Sequence, residues 1–294
     1  LNPITAQVLT SVAKTFALMG VGIAFQRFWK RDISVVTDLA MKLFVPCLGF
    51  SVIVGQELEV VALATVAGAA IFVLLGTLAV TWMLFKVFGI RERGLYLPIV
   101  FMNAANLPFP IIEANYGRAG LGYAVLYYVA VLGLLYTLGI ALVARAPDPR
   151  ALLRTPTTMA AVAALLVQAF RLPVPGLLLE TTDLIGRAAI PIVLFIFGYS
   201  LGGLKVEHVK IAAFGSVLRL GLGLGLGWLA ATGLRMTGTM RDVVIVMSAM
   251  PSAVVNVVIA RQYAADPEIV ASVVFLTSVA AIGLLPLLLV LLRT

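Results

Sequence analysis

Phe101-Met-Asn103-Ala-Ala-Asn106-Leu-Pro108-Phe-Pro110-Ile-Ile-Glu113-Ala-Asn115-Tyr116-Gly117 lies inside a long apolar run. Two prolines two residues apart remove two backbone donors from a membrane helix and clash with the turn before them. The carbonyls they release cannot face lipid; they must face protein or a wet cavity. Asn103 and Asn106, one turn apart ahead of the prolines, carry side chains that both donate and accept. A second stretch, Met247-Ser248-Ala-Met-Pro251-Ser252-Ala-Val-Val-Asn256, repeats the plan with one proline among small polar residues. A single proline reads as an ordinary membrane-helix kink, but a matched pair of broken segments, one in each half of a chain, points to a transport site. Half-helix N-termini add free N–H groups and partial positive charge, which suits a carboxylate. The candidate binding residues are Asn103, Asn106, Pro108, Pro110, Ser248, Pro251, Ser252 and Asn256.

The rest of the chain supplies the membrane setting. It is 62% hydrophobic and 12% charged, with mean hydropathy +1.10, more apolar surface than a soluble domain of this length needs. One His and one Cys leave no material for a zinc site or a disulfide framework. Cys47 reads as a small core residue. The lack of a Ser-His-Asp set argues against a membrane-embedded enzyme. At about 20 apolar residues per crossing, ten membrane segments are expected: 4–26, 33–54, 58–85, 95–115, 119–144, 156–170, 176–202, 208–233, 241–262 and 267–292. Lys14 interrupts the first, and no basic leader precedes it, so it reads as a helix and not a signal peptide. The polar, Pro-rich joint 145–155 separates a first five-helix repeat (1–144) from a second (156–294).

The halves echo each other. Asp38-Leu-Ala-Met-Lys42-Leu-Phe-Val-Pro46 matches Asp183-Leu-Ile-Gly-Arg187-Ala-Ala-Ile-Pro191, and Val129-Ala-Val-Leu-Gly133-Leu-Leu135 matches Val279-Ala-Ala-Ile-Gly283-Leu-Leu285. Five crossings per half is an odd number, so the second half enters the bilayer upside down. The fold expected is an all-α membrane protein of two inverted repeats with broken, crossing fourth and ninth helices. The joints after odd-numbered segments carry twelve Lys and Arg, against five on the other side. That places the odd joints in the cytoplasm and both termini outside. The net charge of +8 therefore encodes topology and is no nucleic-acid signal.

Charges inside the apolar runs cost about 2.5–3.5 kcal/mol each at mid-bilayer and normally face the protein interior. Lys14 reads either as the counter-charge of a bound carboxylate or as the partner of an acid such as Glu113. Asp38 with Lys42, and Asp183 with Arg187, are i,i+4 pairs with the acid first. They lie toward opposite faces, where two gates would sit; the alternative is helix-start charges snorkelling to water. Arg219 reads as a buried ion pair or a snorkelling side chain, not a substrate ligand. Gly221-Leu-Gly223-Leu-Gly225-Leu-Gly227 suits close helix packing. Gln168, Glu180 and His208 stand near helix ends and read as solvated.

Asn103-Ala-Ala-Asn106-Leu-Pro108-Phe-Pro110-Ile-Ile-Glu-Ala-Asn-Tyr116-Gly117, followed by Gly122-Tyr-Ala-Val-Leu, resembles the fourth helix of the auxin efflux carrier family. Met250-Pro251-Ser-Ala-Val-Val-Asn256-Val-Val-Ile-Ala-Arg261-Gln-Tyr263-Ala-Ala-Asp266-Pro267-Glu268, followed by a helix with Pro286 near its end, resembles the family's ninth and tenth helices. The resemblance runs the whole length. It implies a scaffold domain and a transport domain, each built from both repeats, with substrate at the crossing of helices 4 and 9. Family members include the plant PIN auxin exporters and bacterial carriers of small organic acids; the bile-acid sodium symporters share the architecture more distantly. One departure is Pro108, where bacterial members usually carry glycine, and the long cytosolic loop of the plant exporters is absent. The function expected is secondary transport of small organic anions across an inner membrane by elevator-like alternating access. No cofactor is expected, and the energy would come from substrate, H+ or Na+ gradients. The partners are the carboxylate, membrane lipid and a second copy of the chain. Alternatives are a sodium-coupled symporter of the bile-acid type and a non-transporting sensor.

Overall fold

The computed structural model describes residues 3–55, 60–144 and 155–293. All secondary structure among the described residues is helical, apart from one isolated antiparallel bridge between Met102 and Ser252. In chain order the elements are α1 (Pro3–Trp29), α2 (Ser34–Val54, with a π-helical turn at Ala40–Phe44), α3 (Val60–Phe88) and α4 (Tyr96–Val100, entered through a 3-10 turn at Arg93–Leu95). Then come α5 (Pro108–Val143), α6 (Pro156–Ala169), α7 (Gly176–Gly202), α8 (Val209–Gly233), α9 (Gly238–Ser248), α10 (Val255–Gln262) and α11 (Pro267–Arg293). The 145–155 joint, apart from Thr155, lies outside the described residues.

Seven of these helices are long and apolar enough to cross a membrane, namely α1, α2, α3, α5, α7, α8 and α11; α6 is apolar but has only 14 residues. Large apolar side chains such as Phe72, Trp82, Val217, Leu229, Leu287 and Leu291 remain exposed around the bundle. Water does not tolerate so continuous an apolar exterior, whereas lipid covers it. The chain is an all-α membrane protein.

The helices form two packed groups. In one, α1 crosses α7 with backbone against backbone: a side chain on Gly22 would strike Phe195 and Tyr199, and one on Gly198 would strike Met19. Still in that group, α2 packs on α6 and on the first half of α7, where Gly186 lets the Leu48 backbone approach. The second group gathers α3, α4, α5 and α8–α11. Contacts of α5 with α1, α2, α6 and α7, and of α11 with α1, join the two.

The broken segments depart from the sequence expectation in instructive ways. The fourth segment does not kink at its prolines. It ends at Val100, runs non-helically through 101–107 and restarts at Pro108. Pro108 is the first residue of α5, where its missing N–H is one of those with no helical partner in any case. The break therefore falls on the Asn103–Asn106 stretch, and the prolines start the next helix instead of spoiling one. Nor is there a loop between the fourth and fifth segments. Helix continues past Gly117, which turns the chain with φ 65° and ψ −163°, a conformation that glycine reaches without a side-chain penalty. The ninth segment is likewise two helices, α9 and α10, with Pro251 in the gap. Gln168 is not simply solvated, since its side-chain amide donates to the Ile53 carbonyl at 2.5 Å.

Candidate functional site

The two gaps lie against each other and run antiparallel. Asn103 N–H donates to the Pro251 carbonyl at 2.7 Å, and Ala253 N–H donates to the Phe101 carbonyl at 3.2 Å. Backbone groups left over by each break are thus satisfied by the other, as groups withheld from lipid and water must be. Asn256 fastens the junction: its Nδ2 donates to the Phe101 carbonyl at 2.8 Å and to Ser252 Oγ at 3.1 Å. Thr277 on α11 accepts from Ser252 N–H at 3.1 Å. Asn103 shapes its own turn, its Oδ1 accepting from Asn106 N–H at 3.0 Å in the local manner open to Asn side chains.

After this accounting, three polar atoms at the junction stay buried without a hydrogen-bond partner among the described residues: the donor Nδ2 of Asn103, the acceptor Oδ1 of Asn256 and, reaching in from α8, the donor Nε of Arg219. An unpaired buried polar atom costs about 1–3 kcal/mol, so such atoms mark where a ligand or water completes the structure. Asn106 is half-buried beside them.

Not every residue chosen from sequence joins this group. Ser248 is fully buried, but its hydroxyl is engaged, donating to the Val244 carbonyl at 2.7 Å and lying 2.9 Å from the Tyr127 hydroxyl. Lys14 and Pro110 line a separate cavity of about 560 Å³ between α1, α5 and α7, whose walls also include Ser11, Thr15, Ala114 and Pro191. None of the crossover asparagines Asn103, Asn106 and Asn256 lines it. Lys14 makes no ion pair among the described residues; Glu113 turns instead to Arg118, at 3.9 Å.

The i,i+4 pairs both form, but their settings differ. Lys42 Nζ lies 2.6 Å from Asp38 Oδ2, with each side chain 64% exposed. Asp183 meets Arg187 at 2.6 Å and also Arg118, from α5, at 2.5 Å. Ser51 of α2 adds a long hydrogen bond of 3.5 Å to the same carboxylate.

Arg219 does not snorkel, and it forms no ion pair among the described residues. It is fully buried and donates to three main-chain carbonyls, those of Ile99 (2.9 Å), Val100 (2.8 Å) and Ser248 (2.8 Å). Its place among the gaps, like those of Tyr127 and Thr277, was not read from sequence. The available signal was the glycine run on the same helix. A side chain on Gly223 would overlap Arg219 and the Ser248 carbonyl, and one on Gly227 would overlap Ser248, while Gly221 and Gly225 face open space.

Broken helices that meet at a buried polar junction inside an all-helical membrane protein are the build of a membrane transporter. The membrane transport protein family matches residues 7–150 and again residues 147–289, so the chain belongs to that family, the auxin efflux carrier-like transporters. No curated protein matches the chain.

Proposed function

We propose that this transporter carries small organic anions across a bacterial-type inner membrane by elevator-like alternating access, with the carboxylate held at the crossing of the two broken segments. The observation that carries the reading is the unpartnered, buried amide donor of Asn103 at a junction where two helices are interrupted together. Asn103 donates to the anion, and Asn106 and Ser252 stand within the same gaps. Asn256 holds the gaps together, Pro108 and Pro110 begin α5 directly after the first gap, and Pro251 lies within the second. Lys14, in its cavity between α1 and the start of α5, attracts the anion between the two helix groups.

In this reading the chain crosses the membrane ten times, in two inverted repeats of residues 1–144 and 156–294, with both termini outside. The packing is consistent with that exchange of halves. α1 on α7 is answered by α2 on α6, and α3 on α5 by α8 on α11. The group of α1, α2, α6 and α7 is the scaffold, and the group holding the gaps moves against it. Transport is driven by substrate, H+ or Na+ gradients, with no chemistry on the substrate; a second copy pairs through the scaffold.

The test is a thermal-shift screen of small carboxylates on the purified protein, repeated on Asn103→Ala, followed by flux in proteoliposomes. A carboxylate that stabilises the parent and not the variant, and that is then transported, supports the reading. Equal stabilisation of both proteins moves the site elsewhere, and binding without flux makes the protein a sensor.

A further inference from the structure

Arg219 poses a physical problem. It is a full positive charge with no exposure to solvent, and it has no acidic partner among the described ion pairs. A buried charge needs compensation. Here it comes from main chain. Ile99 and Val100 are the last two residues of α4, and Ser248 is the last of α9. These are the C-terminal ends of both interrupted helices, whose carbonyls have no helical partner. The free carbonyls at each such end carry partial negative charge, and three of them converge on this cation, while its Nε is buried without a partner among the described residues. The fork of the guanidinium reaches both ends at once, Nη1 to α4 and Nη2 to α9. Gly223 and Gly227 clear the space it occupies.

We propose that Arg219 is the resident cation of the crossover. It takes the place that an exchangeable inorganic cation fills where half-helix carbonyls converge in other carriers, and it clamps the two interrupted helices into one unit. A guanidinium keeps its charge at every physiological pH and, being tethered, is never released. Transport through this junction therefore needs no sodium at the carbonyl ends, and the positive charge that favours an anion nearby is permanent. Arg219 is a positioning residue, acting through the two helix ends and not by touching substrate. The inference builds on the crossover as the transport site, but its test uses no anion, so the two readings fail separately.

The experiment compares the thermal stability of the purified parent, Arg219→Ala, Arg219→Lys and Arg219→Met in choline, sodium and low-millimolar guanidinium chloride, with urea at the same concentration as a control. The parent is expected to melt at one temperature in choline and in sodium. Arg219→Ala melts lower and regains a large part of the loss with guanidinium, but none with urea or choline. Arg219→Lys, which keeps the charge, melts above Arg219→Met, which keeps the bulk. Should Arg219→Ala fail to fold, the Lys and Met pair decides the question, and should both of those fail, the parent's response to sodium decides it. A parent stabilised by sodium over choline overturns the proposal. So does a Met variant as stable as the Lys variant, or an Ala variant indifferent to guanidinium.

Discussion

Arg118 Nη2 stands 2.5 Å from Asp183 Oδ1 and ties the turn at Gly117 in α5 to the first half of α7. The contact joins the two helix groups at one face, and Arg187 and Ser51 complete the surroundings of the same carboxylate. Among the described residues, Asp38 pairs only with its neighbour Lys42 one turn on, and both are largely exposed. The two sequence-matched acids are thus unequal: one bridges the groups and the other does not.

That inequality gives a first prediction. Asp183→Asn weakens the bridge by about 1 kcal/mol, the upper range for partly exposed pairs, a roughly fivefold shift between the joined and parted arrangements. Flux in proteoliposomes should change for Asp183→Asn and for Arg118→Ala, and stay at the parental rate for Asp38→Asn. Parental flux in all three removes the gate role from both acids.

The glycine run on α8 separates by face. Gly223→Ala pushes a methyl group into Arg219 and the Ser248 carbonyl, and overpacking of this kind costs about 1–3 kcal/mol. Gly225→Ala meets open space and should be neutral, or stabilising by up to about 1 kcal/mol from helix propensity. Melting temperatures of the two single variants check the assignment.

Asn256 must donate. Its Nδ2 serves the Phe101 carbonyl and Ser252, so Asn256→Ala loses about 1 kcal/mol. Asn256→Asp sets a carboxylate, an acceptor only, against that carbonyl, and should cost more than the alanine variant despite its closer shape. The order of the two in a thermal melt is the test.

Pro108 begins α5, with φ already restricted in the unfolded chain. Replacing it with Ala should lower stability by about 0.4–1 kcal/mol through unfolded-state entropy while the anion response is kept. A helix that extends back through Leu107 in the variant, seen as a loss of the response, would instead make Pro108 the residue that holds the gap open.

Much of the fold was legible because its signals are local. Apolar runs of membrane length, and prolines with Asn and Ser beside them, locate the helices and both gaps. The position of the first gap was read a few residues late, since proline disrupts a helix interior but is welcome at a helix start, and composition does not distinguish the two. The continuous passage through Gly117 was missed for a similar reason: only the backbone angle tells a turn from a loop. At the site, Asn103 and Asn256 were identified from their neighbours in sequence. Ser248 was grouped with them, although its hydroxyl faces Tyr127, more than a hundred residues away. Arg219 was missed because its partners are main-chain atoms of two distant helix ends, and the glycine run beside it marks a close approach without naming what approaches.

The crossing of α1 and α7 has no side chain between its closest points, only Gly22 and Gly198 laid on the opposing main chains. Rotamers can be exchanged and methyl groups can slide, but two peptide planes in contact have one seating. The proposed sliding of one helix group past the other requires a part that keeps station, and this seam is suited to be its anchor: rigid by geometry and intolerant of even one added carbon.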